Sequence, residues 1–167
     1  GGSATTVYPE SDFSNSSIIS GGSLIEVPYQ PSVTITDLKQ KDGSIGKVSI
    51  DRVSLSCKVY EGATDSSMSK GAGHYTSSGI YTGNIGLFGH NRGSHAYFAK
   101  LKNVKIGDIV EYKTAIGTKT YQVTFVGSIS CTDYSYLNEM GDNRITLITC
   151  IANQPSLRLC VQAVEIR

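Results

Sequence analysis

The stretch Ile145-Thr146-Leu147-Ile148-Thr149-Cys150, followed after a short connection by Arg158, decides how the rest of the chain is read. It is a β-branched run, the composition that suits a pleated, half-buried strand. A strand that ends on a cysteine puts a thiol at the mouth of a sheet, and an arginine that starts the next strand can lean over the same spot. Side chains alternate along a strand, so Thr146, Ile148 and Cys150 share one face, and Leu159 alternates against Arg158 and Cys160. A thiol is the best neutral-pH nucleophile among side chains, a histidine exchanges its proton, and a guanidinium stabilises an oxyanion. A cysteine closing an apolar strand is more often core than catalytic. The stretch therefore needs a histidine from elsewhere before it means chemistry.

Outward from it, strands and turns alternate. Leu157 to Ile166 alternates apolar with polar and closes the chain, while Asp108 to Lys113 and Thr118 to Val126 flank Gly117 as a hairpin. Gly127 to Asn143 predicts a polar loop with a helical turn around Tyr136 to Glu139. Ile85-Gly86-Leu87-Phe88-Gly89-His90 predicts a short strand ending on a histidine. Tyr97, Phe98 and Leu101 have helical spacing, with Ser94 as the cap and His95 beside it at the surface. Gly71 to Tyr75 reads as a glycine-rich loop and Ser77 to Asn84 as turn chemistry. Glu61 to Lys70 holds one helical turn capped by Thr64 or Asp65. Val33 to Thr36, Gly46 to Ile50 and Val53 to Cys57 alternate as strands do. Residues 1–25 are rich in Ser, Gly and Thr and read as a flexible lead-in, leaving 26–167 as the folded domain. Seven or eight short strands with few helices predict a mainly β protein, a small barrel or sandwich.

Composition narrows the partners. With 167 residues the chain is large enough for one core without staples. Lys plus Arg is 15 against 14 acids, a net charge of +1, which argues against nucleic acid and against a polybasic membrane patch. Cys57, Cys131, Cys150 and Cys160 are too irregularly spaced for a staple framework and read as mostly free thiols, with Cys57 and Cys160 in the core and Cys131 in an exposed, oxidisable loop. His74, His90 and Cys150 lack HxxxH or CxxC spacing, so no metal or other cofactor is expected. Asp133, Glu139 and Asp142 are too loosely arranged for a calcium site. No signal peptide or membrane span is evident. Gly1-Gly2-Ser3 reads as a tag scar, which leaves room for a removed targeting segment.

Taken together, Gly73-His74, Asn84-Ile85-Gly86-Leu87-Phe88-Gly89-His90-Asn91, Phe98-Ala99-Lys100-Leu101 with Gly107-Asp108, Thr146-Leu147-Ile148-Thr149-Cys150 and Leu157-Arg158-Leu159 resemble the sortases over about residues 44–167. These are the cysteine transpeptidases of Gram-positive surfaces. The resemblance implies a closed eight-stranded β-barrel with one or two short helices and a groove at one end, so that 26–167 is a sortase catalytic domain. It implies Cys150 as nucleophile, His90 as general acid/base and Arg158 as the arginine that positions substrate and stabilises the oxyanion. Thr149, His74 and Asn91 are the expected substrate-binding residues, Thr149 beside the oxyanion site. The implied reaction cleaves an LPXTG-like sorting signal between Thr and Gly and passes the thioacyl group to a peptidoglycan precursor or another amine. Surface proteins bearing C-terminal sorting signals would be the partners. The location would be the outer face of the cytoplasmic membrane, through an N-terminal anchor.

The connection Ile151 to Leu157 and the Gly73-His74 element look most like class D. The lid of pilin-building class C enzymes carries an aspartate–aromatic pair; Asp12-Phe13 has that composition in a Ser-rich context that favours coincidence. A hydrolytic cysteine peptidase and a catalytically dead barrel that binds wall peptides remain as alternatives. With ordinary values of ~8.5 for a thiol and ~6.5 for a histidine, about 1% of molecules would hold thiolate and imidazolium together. The rate should then follow a bell centred between the two values; a flat profile from about pH 6 to 9 in a peptide-cleavage assay would count against the pair.

Overall fold

The computed structural model describes residues 32–166, so the expected lead-in, the domain start at residue 26 and the Asp12-Phe13 pair lie outside the described residues. Eight strands close into a barrel: β1 (Ser44–Ile50), β2 (Leu55–Glu61), β3 (Ala72–His74), β4 (Asn84–Phe88), β5 (Ile109–Thr114), β6 (Gly117–Ser130), β7 (Arg144–Cys150) and β8 (Leu157–Glu165). Their order around the barrel is β1-β2-β3-β4-β7-β8-β6-β5, and β5 returns to β1. Pairing is antiparallel except for β2 with β3 and β4 with β7, which are parallel. Closure leaves no unpaired edge. Two short helices, α1 (Ile35–Leu38) and α2 (Asp65–Met68), complete the expected fold.

Strand β7 explains its own composition. Ile145 and Leu147 face the main core with Leu87, Val161 and Ala163, whereas Ile148 joins a second apolar cluster with Ile129, Leu137 and Cys160. Both faces are covered, so the run is apolar almost throughout instead of alternating. The second face is roofed by the segment between β6 and β7, whose 3-10 turn Ser135–Leu137 lies over the sheet. Gly86 permits this approach: a β-carbon there would stand 2.6 Å from Leu137 Cδ2. Cys150 belongs to the face of Ile148, outside the barrel and next to the roof.

A buried polar network anchors that roof. Asn84 is fully buried; its amide donates to the carbonyls of Tyr136 (2.9 Å) and Asn138 (2.8 Å), and its oxygen accepts from Thr146 Oγ1 (2.7 Å). Gln162 donates to Tyr136 O and to Thr146 Oγ1. Glu139 accepts from the Asn84 backbone N–H, and Arg144 grips Asp142 with two nitrogens while reaching Gln162 Oε1. Three strands thus hold the base of one irregular segment.

Several local expectations change. Val33 to Thr36 is not a strand: the Thr34 hydroxyl accepts from Asp37 N–H while the Asp37 carboxylate accepts from Thr34 N–H, a reciprocal cap that starts α1. Gly71 to Tyr75 is not a loop, since Ala72–His74 forms β3. Its glycines serve close backbone approach, a β-carbon on Gly73 falling 2.5 Å from Gly62 O. Val53 lies in a 3-10 turn (Asp51–Val53) before β2, and β6 runs through Gly127 to Ser130. The turn after His95 is 3-10 and spans Ala99–Asn103 beyond Phe98, so Ser94 does not cap it. α2 does begin at its expected cap, Thr64.

Replacing Asn84 with alanine removes the donor to the Asn138 carbonyl and leaves the Tyr136 carbonyl and the Thr146 hydroxyl with Gln162 as their remaining strong partner. We expect a loss of about 2–4 kcal/mol in urea unfolding.

Candidate active site

Register places Cys150 directly opposite Arg158 on β8, and Arg158 in turn opposite Ile129 on β6. Cys150 is exposed at the strand end, and Arg158 is half-buried. The arginine is tethered by a single nitrogen, Nη1, which donates to the carbonyls of Pro155 (3.0 Å) and Leu157 (2.8 Å). Its Nε and Nη2 have no partner among the described residues and remain for a ligand.

His90 comes to the same place through β4. The parallel β4–β7 ladder ends at Phe88↔Ile148. Beyond it the two chains stay joined: Gly89 N–H donates to Ile148 O (3.2 Å), Thr149 Oγ1 to Gly89 O (2.6 Å), and Asn91 Nδ2 to Cys150 O (2.8 Å). These bonds flank His90, whose own carbonyl accepts from Phe98 N–H at 2.9 Å. Gly89 lies against the Phe98 ring: a β-carbon there would stand 2.6 Å from Phe98 Cγ, so any larger residue must displace the ring. His90, Cys150 and Arg158 line one cleft of about 370 Å³.

Its other walls are mostly apolar, though Ser130 and Asp133 are among them. Phe88 meets Tyr75 with ring centroids 6.0 Å apart, Tyr75 meets Tyr134 at 6.0 Å, and Ile148 and Leu137 complete the floor. The sequence contained these aromatics but no period that placed them together, because they come from separate loops and strand ends. Cys131 is a free thiol in the turn after β6, as expected, but it is half-buried and lines this cleft.

Among the expected substrate-binding residues, Thr149 Oγ1 is bound to the Gly89 carbonyl and Asn91 Nδ2 to the Cys150 carbonyl, bonds that hold the two chains together, while Asn91 also lines the hollows beside Cys150. His74 is 1% exposed and lines none of the hollows around Cys150. Its Nδ1 lies 2.7 Å from Glu61 Oε1 and its Nε2 2.7 Å from Gly79 O, so the ring ties β3 to β2 and to the following turn. His95 is exposed, as expected. Asp133, Glu139 and Asp142 are engaged separately, with Ser135, Asn84 and Arg144.

Burial separates the thiols. Desolvation pushes both Cys57 and Cys160 up to about 12, which keeps them protonated at neutral pH. No disulfide forms. Alkylation at neutral pH followed by peptide mass spectrometry should mark Cys150 first and Cys131 more slowly. Cys57 and Cys160 should react after denaturation alone.

Comparison with known proteins agrees with this geometry. The profile of the sortase domain matches residues 48–166. Sortase A of Bacillus anthracis is 29% identical over 132 residues, covering 78% of this chain and 62% of that protein. Sortase A of Listeria monocytogenes is 30% identical over 112 residues, covering 66% and 50%. The chain therefore spans less than two-thirds of the length of these curated relatives. A lid mutant of Streptococcus agalactiae sortase C1 superposes with a TM-score of 0.73 at 26% identity, over 79% of this chain and 73% of that one. Sortase C2 of Group B Streptococcus pilus island 1 gives 0.72 at 26%, covering 77% of each. With the domain profile spanning the barrel from β1 to the end of β8, the chain belongs to the sortase family.

Proposed function

We propose that the chain is a cysteine transpeptidase that cleaves an LPXTG-like sorting signal between Thr and Gly and joins the acyl part to a cell-wall amine. The observation that carries this reading is the cleft in which a strand-end thiol faces an arginine with free nitrogens, beside a histidine held by bonds on both sides. Cys150 Sγ attacks the threonine carbonyl carbon, and its proton passes to His90. The oxyanion forms within reach of Arg158 Nε and Nη2. As the carbon–nitrogen bond breaks, His90 gives the proton to the leaving glycine amine, and the threonine stays as a thioester on Cys150. An incoming amine attacks that carbon and its surplus proton goes to His90. The new amide leaves and the thiol is restored.

The aromatic cleft under residues 131–137 suits the apolar part of such a signal. Surface proteins with C-terminal sorting signals are the donors, and the enzyme works at the outer face of the cytoplasmic membrane on an N-terminal anchor. Among the described residues no helix is long and apolar enough to cross a membrane. The short connection between β7 and β8 and the Gly73-His74 pair support a class D-like enzyme. The second reading is a pilin-joining, class C-like enzyme, favoured by the likeness to the pilus-island sortase of Group B Streptococcus.

The test is mass-spectrometric capture of the thioacyl-enzyme from LPXTG-like peptides, with and without an added amine. Cys150→Ala should abolish the adduct. His90→Ala should slow it by about 10³-fold and Arg158→Ala by about 10²-fold. Asn91→Ala should lower kcat about tenfold and leave KM unchanged, since it acts on position and not on binding. Adduct retained without Cys150 sinks the reading. Hydrolysis alone in the presence of amine would make the protein a peptidase.

A further inference from the structure

Cys150 stands where three hollows meet. One is the aromatic cleft. A second, of about 620 Å³, lies between residues 90–95 and 150–155 and also holds His90 and Arg158. A third, of about 460 Å³, continues it over Phe98 and Ile151 to Lys102. In acyl transfer the departing and the attacking amine use the same side of the carbonyl carbon and the same imidazole, by microscopic reversibility. If the aromatic cleft holds the acyl part, the amine must arrive through a hollow that contains both His90 and Cys150. The second hollow meets that condition.

Its charge is one-sided. Arg92 and His95 line the second hollow and Lys102 the third, and neither hollow contains a carboxylate. Arg52, Lys58 and Arg144 each sit on an acid, whereas Arg92 and Lys102 make no ion pair among the described residues. Both are exposed, each at the rim of a path that leads to the thiol. A groove of this kind attracts anions and repels cations. Its positive charges also disfavour an ammonium, so more of an arriving amine is in the nucleophilic free-base form.

Resting on the transpeptidase reading, we propose that this groove is the acceptor site. It selects an amine carried on a small peptide or amino acid that also bears free carboxylates, with Arg92 and Lys102 as the selecting residues. A lysine presented on a cationic protein surface would be disfavoured there.

Two probes with the same amine test this: glycyl-glutamate, and glycyl-glutaminamide in which amides replace the carboxylates. In a first arm, protein acylated by an LPXTG-like peptide receives both probes in competition. The glutamate product should dominate about fivefold at low salt and lose that lead at about 0.5 M salt. The Arg92→Gln/Lys102→Gln variant should show no preference. In a second arm, each probe is titrated by NMR into Cys150→Ala protein, where no chemistry can occur. Glycyl-glutamate should shift residues 90–95 and 151–156 and bind about fivefold more tightly than its amide analogue. A carboxylate preference in this arm without any thioacyl-enzyme in the first would remove the transpeptidase reading and keep the anion-selecting groove. Equal binding of the two probes, shifts confined to the aromatic cleft, or a preference that survives the double substitution would overturn the proposal.

Discussion

The parallel pairing of β4 with β7 is the constraint on which the site depends. Parallel neighbours leave a sheet at the same edge and in the same direction. His90 follows β4 and Cys150 ends β7, so the pairing from Asn84↔Arg144 to Phe88↔Ile148 delivers both to one end. An antiparallel pair would have sent them to opposite ends of the barrel. The long crossover this requires contains the β5–β6 hairpin, and β6 returns to flank β8. The connection that parallel strands demand therefore also builds the wall holding Ile129 beside Arg158.

The same strand pair divides the labour of stability and chemistry between its two faces. Ile145 and Leu147 belong to a dry core, where apolar contact suffices. Thr146 faces the other way and is met by Asn84 and Gln162, which close the hydrogen bonds of an irregular roof. Non-repeating backbone cannot satisfy its own carbonyls, so a roof of this sort is stable only if neighbouring strands supply donors. The anchoring concentrates at the base, around Tyr136 to Asn143, whereas Tyr134 near the tip is 53% exposed. A segment fixed at its root and open at its tip shapes a cleft without sealing it.

How much of this was legible follows from how local each feature is. The β5–β6 hairpin could be read because alternation and Gly117 act within a few residues. The Cys150–Arg158 pairing could be read because a short connection leaves little freedom of register. β3 could not: a three-residue strand has no period, and its glycine signals a turn until the approach of Gly62 O is seen. His74 was misplaced for the same reason. A glycine–histidine pair in a presumed loop suggests a cleft, whereas in a strand paired on both sides the ring turns into the protein. Val33 to Thr36 alternates like a strand, but one threonine–aspartate cap outweighs four residues of pattern. Arg92 and Lys102 carried no signal at all, since their meaning lies in the absence of acids across a groove built from distant loops.

The histidine itself shows what the parallel ladder substitutes for. In a Ser-His-Asp arrangement a buried carboxylate orients the imidazole through its second nitrogen. Here, among the described residues, no side chain bonds to either ring nitrogen of His90. Asp133 is the one carboxylate lining any of the three hollows, and its Oδ1 is taken up by Ser135. Orientation must then come from the backbone on each side, where Gly89 N–H, the Thr149 hydroxyl and the Asn91 amide join the two chains beyond the last rung of the sheet. Such bonds fix where the ring is rooted and place no carboxylate against it. On the transpeptidase reading proposed above, a residue that takes a proton from a thiol and hands it to an amine is better served by a fixed position than by a carboxylate held against its ring.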